Sequence, residues 1–389
     1  KLRIVMQRYV CKHGKISTAG ACLQGSAPLK AIKTSNLYLN GQAVMHSKLD
    51  KTPIPNNKAV LRDKNPSASS KAVLISGSIA FDFILLFDGK FKDHILPDRI
   101  HMLNVAFLTP QLQRQDGGCA ANIAYTLAKL GGWARLLGSV GQDATDYLAR
   151  LASYGIDLGS VQQLTDCYSA QAFITTDTEA NQITAFHPGA MNKAHELDVR
   201  QAMIDCKSCA WGIVAPNGKQ AMIEHAAAFA QAGVPFIFDP GQGLPMFSGE
   251  ELLSLIKLAD ALILNDYEAS MLMQKTGLDE AALASELKAL VITRGAEGSR
   301  LLEQGRVIEI KAAPAQQVVD PTGCGDAFRG AVLYALSKAC SWEDAIRLGT
   351  ILGAIKVGYA GAQNHPVDRH EVRRRWSEHF GDNMPEELR

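Results

Sequence analysis

The chain has 389 residues, 47% of them hydrophobic, and its 40 Lys and Arg nearly balance its 39 Asp and Glu. That is enough for one large α/β domain with a sizeable core and some additions, and no run approaches the roughly 18 apolar residues of a membrane-crossing helix. Residues 1–71 hold thirteen Lys/Arg against two Asp/Glu, so the rest is acidic on balance, which argues against a nucleic-acid surface on the main body.

The eight cysteines are scattered. Cys206 and Cys209 make the one CxxC, and no second pair or His cluster completes a zinc site. Scattered cysteines without an export signal point to a reducing compartment, so a cytoplasmic location is expected. Residues 1–71 lack sustained periodicity and are rich in Lys, Ser, Asn and Pro. They read as a disordered basic tail, an organelle-targeting segment, or an extension from an upstream start. A poorly ordered extension without catalytic residues fits best.

The main domain is expected to begin at residue 72. Ala72-Val73-Leu74-Ile75 is a buried strand that runs out into Gly77–Asp82, and Phe83–Phe87 is a further β-prone run. Residues 88–116 mix charge, Pro and aromatics and suit an excursion from the main sheet. Gly117-Gly118 opens a helix over 120–130, 134–137 is a strand, and 145–154 is a helix. Ser169–Thr175 and Asn181–Phe186 alternate without a helix between them and read as an antiparallel hairpin.

From Trp211 onward strands and helices alternate. Strands fall at 211–215, 235–238, 261–264 and 290–293. Helices fall at 219–232, 250–258, 266–275 and 281–288. The expected fold class is α/β, a mostly parallel sheet covered by helices on both faces, with ligands beyond the carboxyl ends of its strands. A late helix spans 342–358, and residues 371–389 form a tail ending in a solvated basic helix.

The stretch Asp320-Pro321-Thr322-Gly323-Cys324-Gly325-Asp326-Ala327-Phe328 carries the most chemistry. It follows the β-branched pair Val318-Val319 and precedes a helical run to Ser337, giving the order strand, Gly-rich turn, helix start. The first amides of a helix lack intrahelical acceptors and sit at the positive end of its dipole, which makes an anion site. A carboxylate inside an anion site suits phosphoryl transfer, with Asp326 taking a proton from an attacking hydroxyl. By spacing alone Asp326 is equally a helix cap. A P-loop is excluded, because Gly218-Lys219 is followed by Gln220.

This string resembles the second signature of the ribokinase (PfkB) family of sugar and nucleoside kinases, with Pro321 at a usual Thr and Cys324 at a usual Ala. Residues 117–132 are similar to its first signature. The resemblance covers about 72–370 and implies a ribokinase-like domain with a small β-sheet lid from about 83–116 and 168–190. It implies Asp326 as base and Gly323, Cys324 and Gly325 as the anion hole. Asp82, Gly118 and Asn122 would hold sugar hydroxyls. Asn265-Asp266-Tyr267-Glu268 matches an Asn-x-x-Glu element whose Glu orders Mg²⁺ and its waters, although a helix-capping pair reads the same way. Thr293, Gly295 and Gly298 would line ATP, with Gly358 and Gln363 on its adenine side. ATP and Mg²⁺ are therefore the expected cofactors, with K⁺ a further candidate.

The segments 89–132 and 182–190 look like those of the bacterial adenosine and nucleoside kinases of this family. Phe107, Phe173 and Phe186 could stack on a purine base or simply pack the lid. The expected activity is transfer of a phosphoryl group from ATP to the 5′-hydroxyl of an adenosine-like nucleoside. A ribose or fructose-phosphate kinase of the same fold is the first alternative, and Arg99, Arg114 and Lys129 are the cations that would serve a phosphorylated acceptor. A non-catalytic binding protein on this fold is the second. The expected partners are small molecules, with neither nucleic acid nor membrane, and the chain a monomer or homodimer.

Overall fold

A computed structural model describes residues 71–95 and 102–389. The basic extension expected at 1–71 therefore lies outside the described residues, apart from Lys71 itself. Among the described residues thirteen strands follow in chain order. They are β1 (Ala72–Ser76), β2 (Ala80–Leu86), β3 (Gln111–Gly117), β4 (Trp133–Val140), β5 (Asp157–Gln163), β6 (Ala170–Thr176) and β7 (Gln182–His187). Then come β8 (Cys209–Val214), β9 (Phe236–Phe238), β10 (Ala261–Asn265), β11 (Ala289–Thr293), β12 (Ser299–Glu303) and β13 (Arg306–Ile310).

Nine of them form one sheet in the order β13-β12-β11-β10-β9-β8-β1-β4-β5. It is parallel from β11 to β5, while β12 and β13 pair antiparallel at one edge. The central strands are apolar at consecutive positions because both faces are covered. In β1, Val73 and Ile75 enter one core, while Ala72 and Leu74 enter the other. In β10, Ile263 faces the first core, and Leu262 and Leu264 face the second. Helices Cys119–Lys129, Cys324–Ser337 and Trp342–Lys356 cover the first face. Helices Val199–Cys206, Lys219–Ala232, Gly249–Leu258 and Asp266–Thr276 cover the second.

The remaining strands form a separate four-stranded sheet, β3-β2-β6-β7. The expected hairpin is present as the antiparallel pair β6–β7. This sheet also takes in Ala80, Phe81 and Asp82, upstream of the expected lid boundary.

Several elements differ from the sequence expectation. Val318-Val319 is exposed loop rather than strand, and the helix after it begins at Cys324, so Asp326 lies inside the first turn. Strands β5, β12 and β13 have no counterpart in the expected pattern. β5 and β13 are the two outer strands of the nine-stranded sheet, where half-exposed strands need no apolar run, while β12 lies one strand in from β13 and is mostly buried, with only Leu301-Leu302 as an apolar pair. The C-terminal helix Arg369–Phe380 is not merely solvated. It buries Val372 and Trp376 in the first core, and Met384 and Leu388 follow them. Among the described residues no helix is long and apolar enough to cross a membrane.

Candidate active site

Adjacent strands of the large sheet end side by side, and polar residues follow each end. Ser78 lies two residues beyond β1, Asp239 directly follows β9, and Asn265 and Thr293 close β10 and β11. The helix Cys324–Ser337 starts beside them, since its Arg329 bonds Asp239 at the end of β9.

Gly323 caps that helix at φ +78°, and a Cβ there would stand 2.6 Å from the Ala362 Cβ, so both conformation and space require glycine. The Cys324 N–H turns back to the Pro321 carbonyl (3.1 Å), and the Ala327 N–H takes the Gly323 carbonyl (2.9 Å). Between them, the Gly325 and Asp326 amides have no intrahelical acceptor and lie at the positive end of the dipole. The Cys324 amide, expected in the anion hole, is thus committed to the turn.

Asp326 is partly buried, and its Oδ2 accepts from Asn122 Nδ2 at 2.8 Å. Asn122 Oδ1 accepts from Gln363 Nε2 at 2.8 Å. The same nitrogen donates to the Tyr147 hydroxyl (2.6 Å), which donates to the Gly117 carbonyl (2.7 Å). Gln363 is therefore built into the Asn122 side rather than a nucleotide wall. Burial raises the Asp326 carboxyl above its usual range; Asn122 and Arg329 oppose this, and Glu268 reinforces it.

Asp82 sits within β2 of the small sheet, not in a turn after β1. A Cβ on Gly117 would come within 2.7 Å of Asp82 Oδ2, so the glycine clears space for this carboxylate. Gly118 has φ +92°, and its Cβ would strike the Ser78 carbonyl at 2.5 Å. Burial pushes Asp82 up to about 6, and the charge of Asp326 adds to the shift. The two carboxylates thus feel one another across the gap between the sheets.

Two residues that sequence reasoning missed lie beneath Asp326. Arg329 and Asp239 form a buried ion pair, in which Arg329 Nη2 donates to Asp239 Oδ1 at 2.8 Å. Arg329 Nη1 also holds the Gly325 carbonyl at 3.1 Å. Burial pushes Asp239 up to about 6 even with Arg329 beside it. Their signals were an Arg three residues after Asp326 in an otherwise apolar run, and a carboxylate at a strand end.

Asn265 and Glu268 form a reciprocal capping box on helix Asp266–Thr276, with both bonds at 2.8 Å. Asn265 is thereby a helix cap. Among the described residues no three His, Cys, Asp or Glu side chains are grouped to hold an ion. Mg²⁺ retains most of its waters and needs only one or two carboxylates. Glu268 uses Oε2 for the cap and keeps Oε1 for such a role. Thr293 Oγ1 donates to the Leu264 carbonyl at 3.3 Å. In the turn after it Gly295 is exposed, and Gly298 closes against the Ile310 carbonyl. The Gly358 carbonyl accepts from Gln317 Nε2 at 3.0 Å.

Strand register sorts the aromatics. Asp82 lies opposite Gln115 and Ala172, and Ala172 lies opposite Phe186, so these four share one face of the small sheet. Phe173 is on the other face, stacked on Phe83 at 4.9 Å. Phe107 packs with Phe87, Phe91 and His94. Phe186 thus shares a face with Asp82 and Phe173 does not, while Phe107 lies outside the strands among the other aromatics. Arg114 lies over the Phe81 ring (3.8 Å) and Lys129 over the Tyr154 ring (4.8 Å), while Arg99 falls outside the described residues.

Residues 83–369 match the pfkB family of carbohydrate kinases. The chain belongs to that family. A nucleoside kinase of Methanocaldococcus jannaschii is 30% identical over 71% of this chain and 90% of its own length. The structure of Burkholderia thailandensis nucleoside kinase in complex with inosine aligns at 46% identity, covering 80% of this chain and 99% of that one, with a TM-score of 0.72. The same enzyme in complex with ADP-inosine aligns at 47% identity over 80% and 97%, with a TM-score of 0.70. The large sheet and small lid of this pfkB member are therefore the ribokinase-like arrangement.

Proposed function

We propose that this protein is an ATP-dependent kinase that phosphorylates the 5′-hydroxyl of a purine nucleoside such as adenosine or inosine. One observation carries it. A carboxylate in the first turn of a helix, Asp326, is held by Asn122, and the lid carboxylate Asp82 shares its field. That is a base and a polyol clamp at one anion-binding helix start. The names of the similar enzymes and the inosine complex support a nucleoside as acceptor.

Asp82 accepts hydrogen bonds from the ribose hydroxyls, and the Asn122 amide fixes Asp326 toward the 5′-hydroxyl. Asp326 takes the hydroxyl proton as the oxygen bonds to the γ-phosphorus and the bond to the bridging oxygen of ADP breaks. The Gly325 and Asp326 amides donate to the charge that develops on the transferred group. Arg329 keeps the Gly325 peptide in place through its carbonyl. Glu268 would hold Mg²⁺ through its waters, and the ion supplies charge neutralisation on the phosphates. Thr293, Gly295, Gly298 and Gly358 border the nucleotide. Phe186 closes on the base from Asp82's face of the lid, where it excludes water.

A fructose-phosphate acceptor is disfavoured, because Arg114 and Lys129 are engaged with aromatic rings. The test is turnover of adenosine, inosine, guanosine, ribose and fructose 6-phosphate at fixed Mg-ATP. A purine nucleoside is expected to exceed ribose by at least about tenfold in kcat/KM. Equal or better use of ribose or fructose 6-phosphate would replace the nucleoside reading with a sugar-kinase one.

A further inference from the structure

Lys356 is a charged side chain with no exposed surface. It lies at the end of helix Trp342–Lys356, and its ammonium donates to the Asp320 carbonyl at 2.7 Å and the Tyr359 carbonyl at 3.0 Å. The Asp320 carboxylate stands 4.0 Å away. That carboxylate accepts from the Thr322 N–H (2.9 Å) and the Gly361 N–H (2.7 Å). The Val319 and Asp320 amides both donate to the Val357 carbonyl. Two loops, 319–323 and 357–361, are laced together around one buried positive charge, and the first of them leads directly into the Asp326 helix. Burial lowers the Lys356 pKa, while Asp320, Cys324 and Asp326 push it back up.

Converging carbonyl and carboxylate oxygens are the donor set that holds a desolvated alkali cation. Here the chain's own ammonium uses those oxygens. The K⁺ expected as a further cofactor does not fit at this cage, because its ligands are already spent.

We propose that Lys356 is a built-in monovalent cation, a positioning residue that fixes the phosphate-facing loop and makes phosphoryl transfer independent of added K⁺. It follows that removing the ammonium should convert the protein into one that needs K⁺ or NH₄⁺. The proposal rests on the kinase function proposed above. The ammonium touches no substrate; it acts through the Asp320–Gly323 turn that sets the Gly325 and Asp326 amides.

The experiment compares the wild type with Lys356→Ala and Lys356→Met in choline, potassium and ammonium chloride at equal ionic strength. Wild-type kcat is expected to stay within about twofold across the three salts. In choline, Lys356→Ala should lose roughly ten- to a hundredfold in kcat with little change in acceptor KM. Ammonium or potassium should restore at least about fivefold of that loss, because the alanine leaves room for an ion. Lys356→Met fills the same space without a charge and should not be rescued. Thermal melting gives a second readout, with K⁺ or NH₄⁺ raising the melting temperature of Lys356→Ala but not of the wild type. Strong K⁺ activation of the wild type would overturn the proposal, as would an alanine variant whose turnover and melting both ignore the cations. If the wild type phosphorylates none of the acceptors, the proposed function fails by itself, and the cage is then decided on melting alone.

Discussion

Under the proposed function the two sheets divide the work, and they are built on opposite principles. In the large sheet β1 is buried along its whole length, and its side chains alternate between two cores. In the small sheet β7 is exposed at every position. Asp326, Asn122, Asp239 and Arg329 sit on or beside the first, while Asp82 and Phe186 belong to the second. A reacting carboxylate needs fixed neighbours, and close-packed helices on a covered sheet provide them. A surface that must open for an acceptor and close over it cannot be buried in the same way. Mutations on the large-sheet side should therefore act on chemistry and stability, and those on the lid should act on acceptor choice.

The sharpest test of this division is Asp326→Asn. Asparagine keeps the shape and a partner for Asn122 but is not a base. We expect kcat to fall by roughly 10²–10⁴, with nucleotide affinity nearly intact by calorimetry. Turnover close to wild type would remove Asp326 from the proton transfer.

Next comes the buried pair. Removing one partner, as in Arg329→Ala, leaves Asp239 desolvated and alone, and costs about 3–5 kcal/mol in denaturant unfolding. A double variant, Arg329→Met with Asp239→Leu, should recover much of that stability but not the activity, since the Gly325 carbonyl would still lack its tether. Recovery of both would make the pair purely structural.

The large-sheet side was also the more legible of the two in sequence. The apolar runs of β1, β10 and β11, and the glycines before Asp326, each follow from a local requirement that leaves a mark at one position. What stayed hidden depends on partners distant in the chain. Asp239 and Arg329 are 90 residues apart and meaningful only as a pair. Gln363 was assigned to the nucleotide by position, but its amide bonds Asn122, 241 residues away. On the lid the three phenylalanines look equivalent in sequence, because strand register decides the faces of Phe173 and Phe186, and packing on Phe87, Phe91 and His94 places Phe107. The antiparallel edge β12–β13 was readable in principle, since Gln304-Gly305, both at positive φ, mark a two-residue turn between alternating runs.

Asp82 links the two sheets, and its pH behaviour reports on both. Its folded pKa of about 6 lies above the ordinary 3.8, so the folded state favours the protonated form. Ionising it opposes folding. The penalty is absent below pH 4, grows between about 4 and 6, and is complete above. Asp82→Asn should therefore melt higher than the wild type at pH 7–8, with the gap narrowing as pH falls through 6. Acceptor binding should run the other way. The wild-type acceptor KM should rise as pH falls through about 6, as the clamp loses its charge. Asp82→Asn should raise that KM by about tenfold or more at pH 7.5 and flatten the profile. An unchanged KM would place the clamp elsewhere.

The smallest expected effect is the most discriminating within the lid. Phe186 shares Asp82's face, while Phe173 stacks on Phe83 behind it and Phe107 packs among Phe87, Phe91 and His94. Base–aromatic stacking is worth about 1–3 kcal/mol per base. Phe186→Ala should thus cost roughly tenfold in kcat/KM for inosine or adenosine while leaving ribose nearly unaffected, because ribose presents no base to stack. Phe173→Ala removes a lid–lid contact and should act on both acceptors alike, through lid stability. The informative quantity is the ratio of nucleoside to ribose kcat/KM in each variant, since a general loss of lid order cancels in it. A collapse of that ratio in Phe173→Ala but not in Phe186→Ala would mean that the base approaches from the opposite face of the small sheet, and that Asp82 and the base do not share a side.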